Sequence, residues 1–229
     1  MNQNIKKIIT IDGPAGAGKS TLARELARRL TWIYLDTGAL YRALALTALQ
    51  RGLDPHDQTA AEKLAASLDL TARPTPDGTS IMVDGRDVTS LLRAPEISLA
   101  ASAISAWPGV REALLGLQRS LGAKGDVVAE GRDMGTVVFP EAGLKFFLYA
   151  DPKFRAERRF RELSACRRDI TSEEVLADIL ERDQADCRRE ASPLKAAPDA
   201  LTIDSTNLTI DGVLKVMVNA FRNRFFGFK

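Results

Sequence analysis

Residues Thr10 to Leu30, TIDGPAGAGKSTLARELARRL, run from a β-branched apolar segment through a glycine-rich turn into an amphipathic helix. The centre, Gly13 to Ser20, reads G-P-A-G-A-G-K-S and fits the pattern G-x-x-x-x-G-K-[ST]. Glycines at these places let backbone N–H groups turn inward around phosphate oxygens, and the helix that follows adds its positive end. Lys19 is placed to meet the terminal phosphates, and the Ser20 hydroxyl to ligate Mg²⁺. The flanking context is present. Ile8 to Ile11 predicts a buried strand, and Leu22, Leu26 and Leu30 form a helical stripe from which Arg24, Arg28 and Arg29 mostly stand apart. Gly13, Pro14, Ala15, Gly16, Ala17, Gly18, Lys19, Ser20 and Thr21 are therefore the candidate triphosphate-binding residues. Switches, motors and small-molecule kinases all use such a loop, so the rest of the chain must decide among them.

The β/α alternation begun by the loop continues. Trp32 to Asp36 predicts a second strand, and ALYRALALTALQRG a helix with Gly52 as its C-terminal glycine. The rhythm then breaks. Pro76-Asp77-Gly78 and Asp84-Gly85 are turn signals, and they predict a small antiparallel meander over about Asp69 to Thr89. Helices are expected over roughly Ala94 to Ser105 and Gly109 to Leu121, divided by Trp107-Pro108. Alternation resumes with strands at Asp126 to Glu130 and Leu144 to Ala150. A helix opens at Pro152 and runs to about Ser164. Thr171 to Glu174 has the form of a capping box for a long helix reaching about Arg189. ALTID is a last strand, and Thr209 to Arg224 a last helix. The expected fold is α/β, with five parallel strands and helices on both faces, a small antiparallel β insertion and a helical lid. It is read as one domain over 1–229, with the insertion at about 60–121 and the lid at about 153–171.

Composition narrows the function classes. Thirty-two basic residues against thirty acidic ones leave little excess positive charge for nucleic acid. Lys153 to Arg189 is the arginine-rich candidate, but its ten basic residues sit among nine acidic ones, as on a solvated helical surface. Cys166 and Cys187 have no metal-ligand spacing and are expected to be free thiols. The one histidine, His56, lies in the loop-like GLDPHD, so zinc chemistry has almost no ligands to draw on. No long apolar run precedes the loop at Gly13, and none reaches membrane-spanning length. The four phenylalanines of FRNRFFGFK suit a packed C-terminal helix better than a membrane contact. A cytoplasmic protein, binding neither membrane nor nucleic acid, is expected.

Three further clusters carry chemistry. In LDTGALYR, Asp36 ends a strand, where open α/β sheets place ligand groups, and Tyr41 and Arg42 follow on the next helix. In EGRDMGT, a turn at the end of another strand brings Arg132 and Asp133 to the same sheet edge. Arginine there suits two-pronged hydrogen bonding to phosphate. On the late helix, Arg182, Asp186 and Arg189 are four and three residues apart and share a face. Taken alone, the first also reads as a surface arginine on a helix, the second as a structural ion pair, and the third reads better as a surface salt-bridge ladder.

Together the segments TIDGPAGAGKST, LDTGALYRALA, GRDMGTVVFP, ERDQADCRR and LTIDST resemble bacterial cytidylate kinases, within the nucleoside monophosphate kinase group. The resemblance runs from about Ile8 to Phe221, and GRDMGTVVFP beside the glycine loop is its specific part. It implies ATP with Mg²⁺ as donor and CMP, with dCMP, as acceptor. It implies that Thr37, Tyr41, Arg42 and Arg132 handle the monophosphate, that Ser102, Arg111 and Asp133 meet the cytosine, and that Arg182 and Asp186 meet the sugar, with Arg189 nearby. Lys19, Arg132 and the lid arginines Arg155, Arg158 and Arg159 are the expected cations around the transferred group. Two positions depart from relatives. Cys166-Arg167 stands where Lys-Gly is frequent, leaving Arg167 or Arg168 to supply the charge, and Thr37 stands where serine is frequent. Two rivals remain: a P-loop kinase for another acceptor, such as UMP or a sugar acid, and a GTP-binding switch. The switch would want an N-K-x-D segment, which the sequence lacks. A monomer is expected.

Overall fold

The computed structural model describes residues 6–75, 78–123, 125–164 and 170–227. The chain forms β1 (Lys6–Asp12), α1 (Lys19–Leu30), β2 (Ile33–Asp36), α2 (Gly38–Gln50), α3 (Gln58–Ser67), β3 (Leu70–Thr75), β4 (Gly78–Val83) and β5 (Arg86–Asp87). It continues through α4 (Pro95–Ile104), α5 (Pro108–Gly122), β6 (Val127–Gly131), a π-helical segment (Met134–Val138), β7 (Ala142–Tyr149), α6 (Pro152–Ser164), α7 (Ser172–Arg188), β8 (Leu201–Asp204) and α8 (Ile210–Phe226). Five strands pair in the order β2-β6-β1-β7-β8, every pair parallel.

Strand alternation explains why this sheet is covered on both faces. Ile9, Ile11, Tyr34 and Val128 point into a core shared with Leu22 and Leu26 of α1 and Leu214 and Met217 of α8. Ile8, Leu35, Val127 and Ala129 point the other way, against Met134, Val138 and Phe139, with Leu115 and Leu121 of α5 packed alongside. The phenylalanine-rich end belongs to the first face. Trp32 meets Phe221 and Phe225 edge-on, at ring-centre distances of 5.3 and 5.9 Å. No helix among the described residues is long and apolar enough to cross a membrane.

The break in the sequence rhythm is the antiparallel sheet β3-β4-β5. It joins α2, α3, α4 and α5 around a separate core that includes Leu44, Leu64, Ile81, Ile104 and Val110. A hydrogen bond from Asp36 N–H to Thr79 Oγ1 (3.2 Å) ties this layer to the end of β2. Gly52 takes the left-handed conformation expected after α2, and the Thr171–Glu174 capping box forms at the start of α7. Besides a short 3₁₀ turn at Thr89–Leu91, two elements exceed the sequence expectation. α3 is the first, capped by Asp57, whose carboxylate accepts from Ala60 N–H at 3.1 Å. Its weak amphipathic pattern lay between clearer signals. The second is the π-helical segment after β6, where glycine, threonine and two valines gave no helical periodicity.

Candidate functional site

The parallel register brings the carboxyl ends of β1, β2 and β6 together. Asp12 lies beside Gly131, and Asp36 beside Glu130. Ligands of open α/β sheets bind outside this edge, and both the glycine loop and the GRD turn leave from it.

The loop is shaped by backbone. Gly13, at φ 151°, passes so close to β7 that a Cβ would lie 2.2 Å from the Leu148 carbonyl oxygen. Gly18 takes a left-handed conformation just before α1, which a side chain would strain. Lys19 is 6% exposed, and its Nζ donates to the Pro14 carbonyl at 2.7 Å. Burial, then the nearby Arg132 charge, pull its ammonium below its usual pKa. Ser20 and Thr21 are exposed at the start of the helix. The buried Glu130 carboxylate accepts from Tyr34 Oη at 2.5 Å. Burial, then Asp36, raise the Glu130 pKa.

Across the sheet edge lies an open cleft of about 130 Å³. It gathers Thr37, Tyr41, Arg42, Ser102, Arg111, Arg132, Asp133, Arg182, Asp186 and Arg189, residues contributed by five separate segments. Asp36 does not line it. That carboxylate accepts from Ala39 N–H at the start of α2 and from Arg42 Nη2 at 2.7 Å, so it orients Arg42 from behind. Thr37 is buried, and its hydroxyl donates to the Glu130 carbonyl at 2.7 Å.

Two charge clusters organise the cleft. Arg111 is ion-paired with Asp133, and its guanidinium lies 5.4 Å from the Tyr41 ring centre. Burial would lower the Arg111 pKa, but Tyr41 and Asp133 outweigh it and leave it raised. Asp186 sits between Arg132 Nε at 2.6 Å and Arg189 Nη1 at 3.3 Å. Burial favours its neutral form, yet Arg132 and Arg189 prevail and hold the carboxylate below its usual range. Arg182 and Arg189 both have lowered pKa values, from burial first and then from Arg132 and Arg111 respectively. Among the described residues, Arg42 Nε, Arg111 Nε and Arg189 Nη2 are buried donors without a partner. Thr10 Oγ1, Arg24 Nε, Gln118 Nε2 and Asp183 Oδ1 lack a partner as well, so it is the gathering of guanidinium groups that suits the cleft to an oxyanion.

The expected lid arginines are placed differently. Arg155 is 1% exposed and carries its charge beneath the glycine loop. It donates to Ala150 O, Ala15 O and Asp183 Oδ2 at 2.8, 2.9 and 2.5 Å. Arg158 turns to the carbonyls of Ser205 and Thr206, and Arg159 pairs with Glu162. None of the three lines the cleft. Arg167, Arg168 and Cys166 lie outside the described residues. Cys187 is an exposed free thiol, and His56 is an exposed loop residue. Sequence reasoning overlooked Glu130 and Asp12, although an acidic residue ending a strand at the ligand edge was a usable signal for both.

A five-stranded parallel sheet with this loop, facing a cationic cleft across its carboxyl edge, defines a P-loop kinase. The family model described as cytidylate kinase matches residues 9–223. A curated cytidylate kinase from Geobacter sp. (strain M21) is 46% identical over 217 residues, covering 95% of this chain and 93% of the relative. One from Carboxydothermus hydrogenoformans is 48% identical over 206 residues, covering 90% and 93%. A solved structure of an uncharacterized protein from Eubacterium ventriosum ATCC 27560 shares the fold at 13% identity, with a TM-score of 0.53 and coverage of 96% and 99%. The chain belongs to the cytidylate kinase family.

Proposed function

We propose that the protein transfers the γ-phosphoryl group of ATP to CMP and dCMP, giving CDP or dCDP and ADP. The observation that carries this beyond family membership is the pairing of unfilled arginine donors with a base-sized acceptor–donor set, Asp133, Ser102 and Arg111, in one cleft. Cytosine offers an amine donor and a ring-nitrogen acceptor. Asp133 accepts and Arg111 donates, while Ser102 does either. Arg42 and Arg132 are the monophosphate ligands, with Thr37 and Tyr41 shaping that end. Arg182 and Asp186 take the sugar, with Arg189 beside them.

Phosphoryl transfer needs alignment and charge neutralisation more than covalent help. The loop amides of Gly13 to Thr21 hold the donor phosphates. Lys19 leaves its Pro14 contact for the transferred group, and Arg132 faces it from the acceptor side. The phosphate acceptor is already ionised and needs no general base. Ser20 and Glu130 offer hard oxygen donors that would hold Mg²⁺, and the ion would supply neutralisation of charge on the donor phosphates. Residues 153–171 act as a lid that excludes water, with Arg158, Arg159 and Arg167 or Arg168 as its cations. Residues 60–121 act as the monophosphate-binding insertion of a single domain. The protein works as a cytoplasmic monomer.

One experiment decides most of this: ATP consumption measured with CMP, dCMP, UMP, AMP and shikimate as acceptors. CMP and dCMP should be preferred. Equal use of UMP, or preference for AMP or shikimate, would overturn the assignment.

A further inference from the structure

Asp133 stands immediately before the π-helical segment, where an aspartate ordinarily turns back to cap the helix. It makes no such bond. Its carboxylate pairs with Arg111 instead. The amides it would have served are bound by a residue from another strand. Asp12 Oδ1 accepts from Met134 N–H at 2.8 Å, and Oδ2 from Gly135 N–H at 2.7 Å. Asp12 is 3% exposed and ends β1, one residue before the glycine loop. The Asp133 main chain is tied down separately, by Val137 N–H donating to its carbonyl at 2.9 Å.

We propose that Asp12 is a positioning residue: by capping the Met134–Val138 segment in place of Asp133, it frees the Asp133 carboxylate to face the acceptor cleft. This deepens the proposed function and rests on it for the identity of the base. Without the Asp12 carboxylate, two buried amides need an acceptor, and Asp133 is the nearest acidic side chain in sequence. Turning back would remove it from Arg111 and blunt base selection, while the glycine loop keeps its own backbone shape.

The test uses Asp12→Asn, which keeps size but offers one acceptor. CMP-over-UMP preference should fall roughly tenfold or more, the effect of one buried polar mismatch. ATP KM should stay within about threefold. Adding Asp133→Asn to Asp12→Asn should cost CMP turnover less than Asp133→Asn costs alone, because both act through one carboxylate. Parallel loss of ATP affinity with unchanged base preference, or full additivity, would overturn the proposal. Hydrogen exchange in the wild-type protein covers the case in which the variant fails to fold. The amides of Met134 and Gly135 should be as slow as those of β1, and loop-like exchange there would sink the idea. If wild type ignores CMP altogether, the functional assignment fails by itself. Exchange in Asp12→Asn still decides the capping role, which predicts faster amides at 134–136 and unchanged ones in the glycine loop.

Discussion

The glycine loop and the acceptor cleft meet at one sheet edge but are built from different materials. The loop is contiguous, and its shape comes from left-handed glycines and close backbone approach, with few charged side chains. The cleft draws on segments from Thr37 to Arg189, and its shape comes from buried ion pairs. A backbone cradle binds any chain of phosphates and carries no memory of the base. Ion pairs fix side-chain directions one by one, so under the proposed function the cleft is where selectivity for an acceptor would reside. Substitutions should then divide cleanly. Those in the loop should reduce turnover for every acceptor, and those in the cleft should change which acceptor is used.

The largest effect is expected from Lys19→Met. It removes the lysine proposed to meet the transferred phosphate and should lower kcat by roughly 10²–10⁴, in proportion for CMP and UMP. Single-turnover assays on the folded variant check this, and near-normal turnover would contradict it. Asp186→Asn comes next. It leaves Arg132 and Arg189 facing each other without the intervening charge, and charge-assisted bonds of this kind contribute about 1.5–3 kcal/mol. A loss of roughly ten- to a hundredfold in kcat/KM for CMP should follow, with little change in ATP KM. Equal damage to both substrates would mean that the two regions are less separate than their construction suggests.

Arg111→Met and Ser102→Ala sharpen the comparison further. Each should lower kcat/KM for CMP by about 1–3 kcal/mol and for UMP by much less. Steady-state kinetics with both acceptors at saturating ATP measure this. Proportional losses would place these side chains in phosphate binding or in the fold.

The same contrast explains what the sequence could disclose. Gly13 to Ser20 was legible because a local backbone motif is written contiguously, and the strand and helix around it fix the sheet. The meander was legible because Pro76 to Gly78 and Asp84-Gly85 are turn chemistry. Arg111, Ser102 and Asp133 lie on separate elements, and no spacing brings them together. Only the resemblance to a family placed them in one site. Arg155 shows the limit in the other direction. The resemblance implied a lid cation at this position, yet tertiary packing sets it under Ala15 with three fixed partners. The place of Asp12 at a strand's ligand edge was a usable signal, but its partners were not legible, being two backbone amides more than a hundred residues away.

Asp12 is also the joint between the two regions, and its titration gives the smallest effect, one on stability. Burial, opposed by the amides of Gly135 and Met134, raises its pKa from 3.8 to about 6, with Asp133 adding to the rise and Lys19 opposing it. Between those values the folded chain holds more of this proton than the unfolded chain does. The contribution of Asp12 to stability therefore falls as pH rises from about 4 to about 6, and is level above that. A gap of this size corresponds to at most about 3 kcal/mol. Asparagine does not titrate, so Asp12→Asn lacks this slope while every other group keeps its own. The difference in Tm, wild type minus variant, should be greatest near pH 4 and should shrink by roughly 5–10 °C on reaching pH 7. Calorimetry of both proteins across that range measures it. A difference that stays constant would show that Asp12 ionises as an ordinary carboxylate. One that grows with pH would show that its amide bonds outweigh burial, making the joint strongest where the enzyme works.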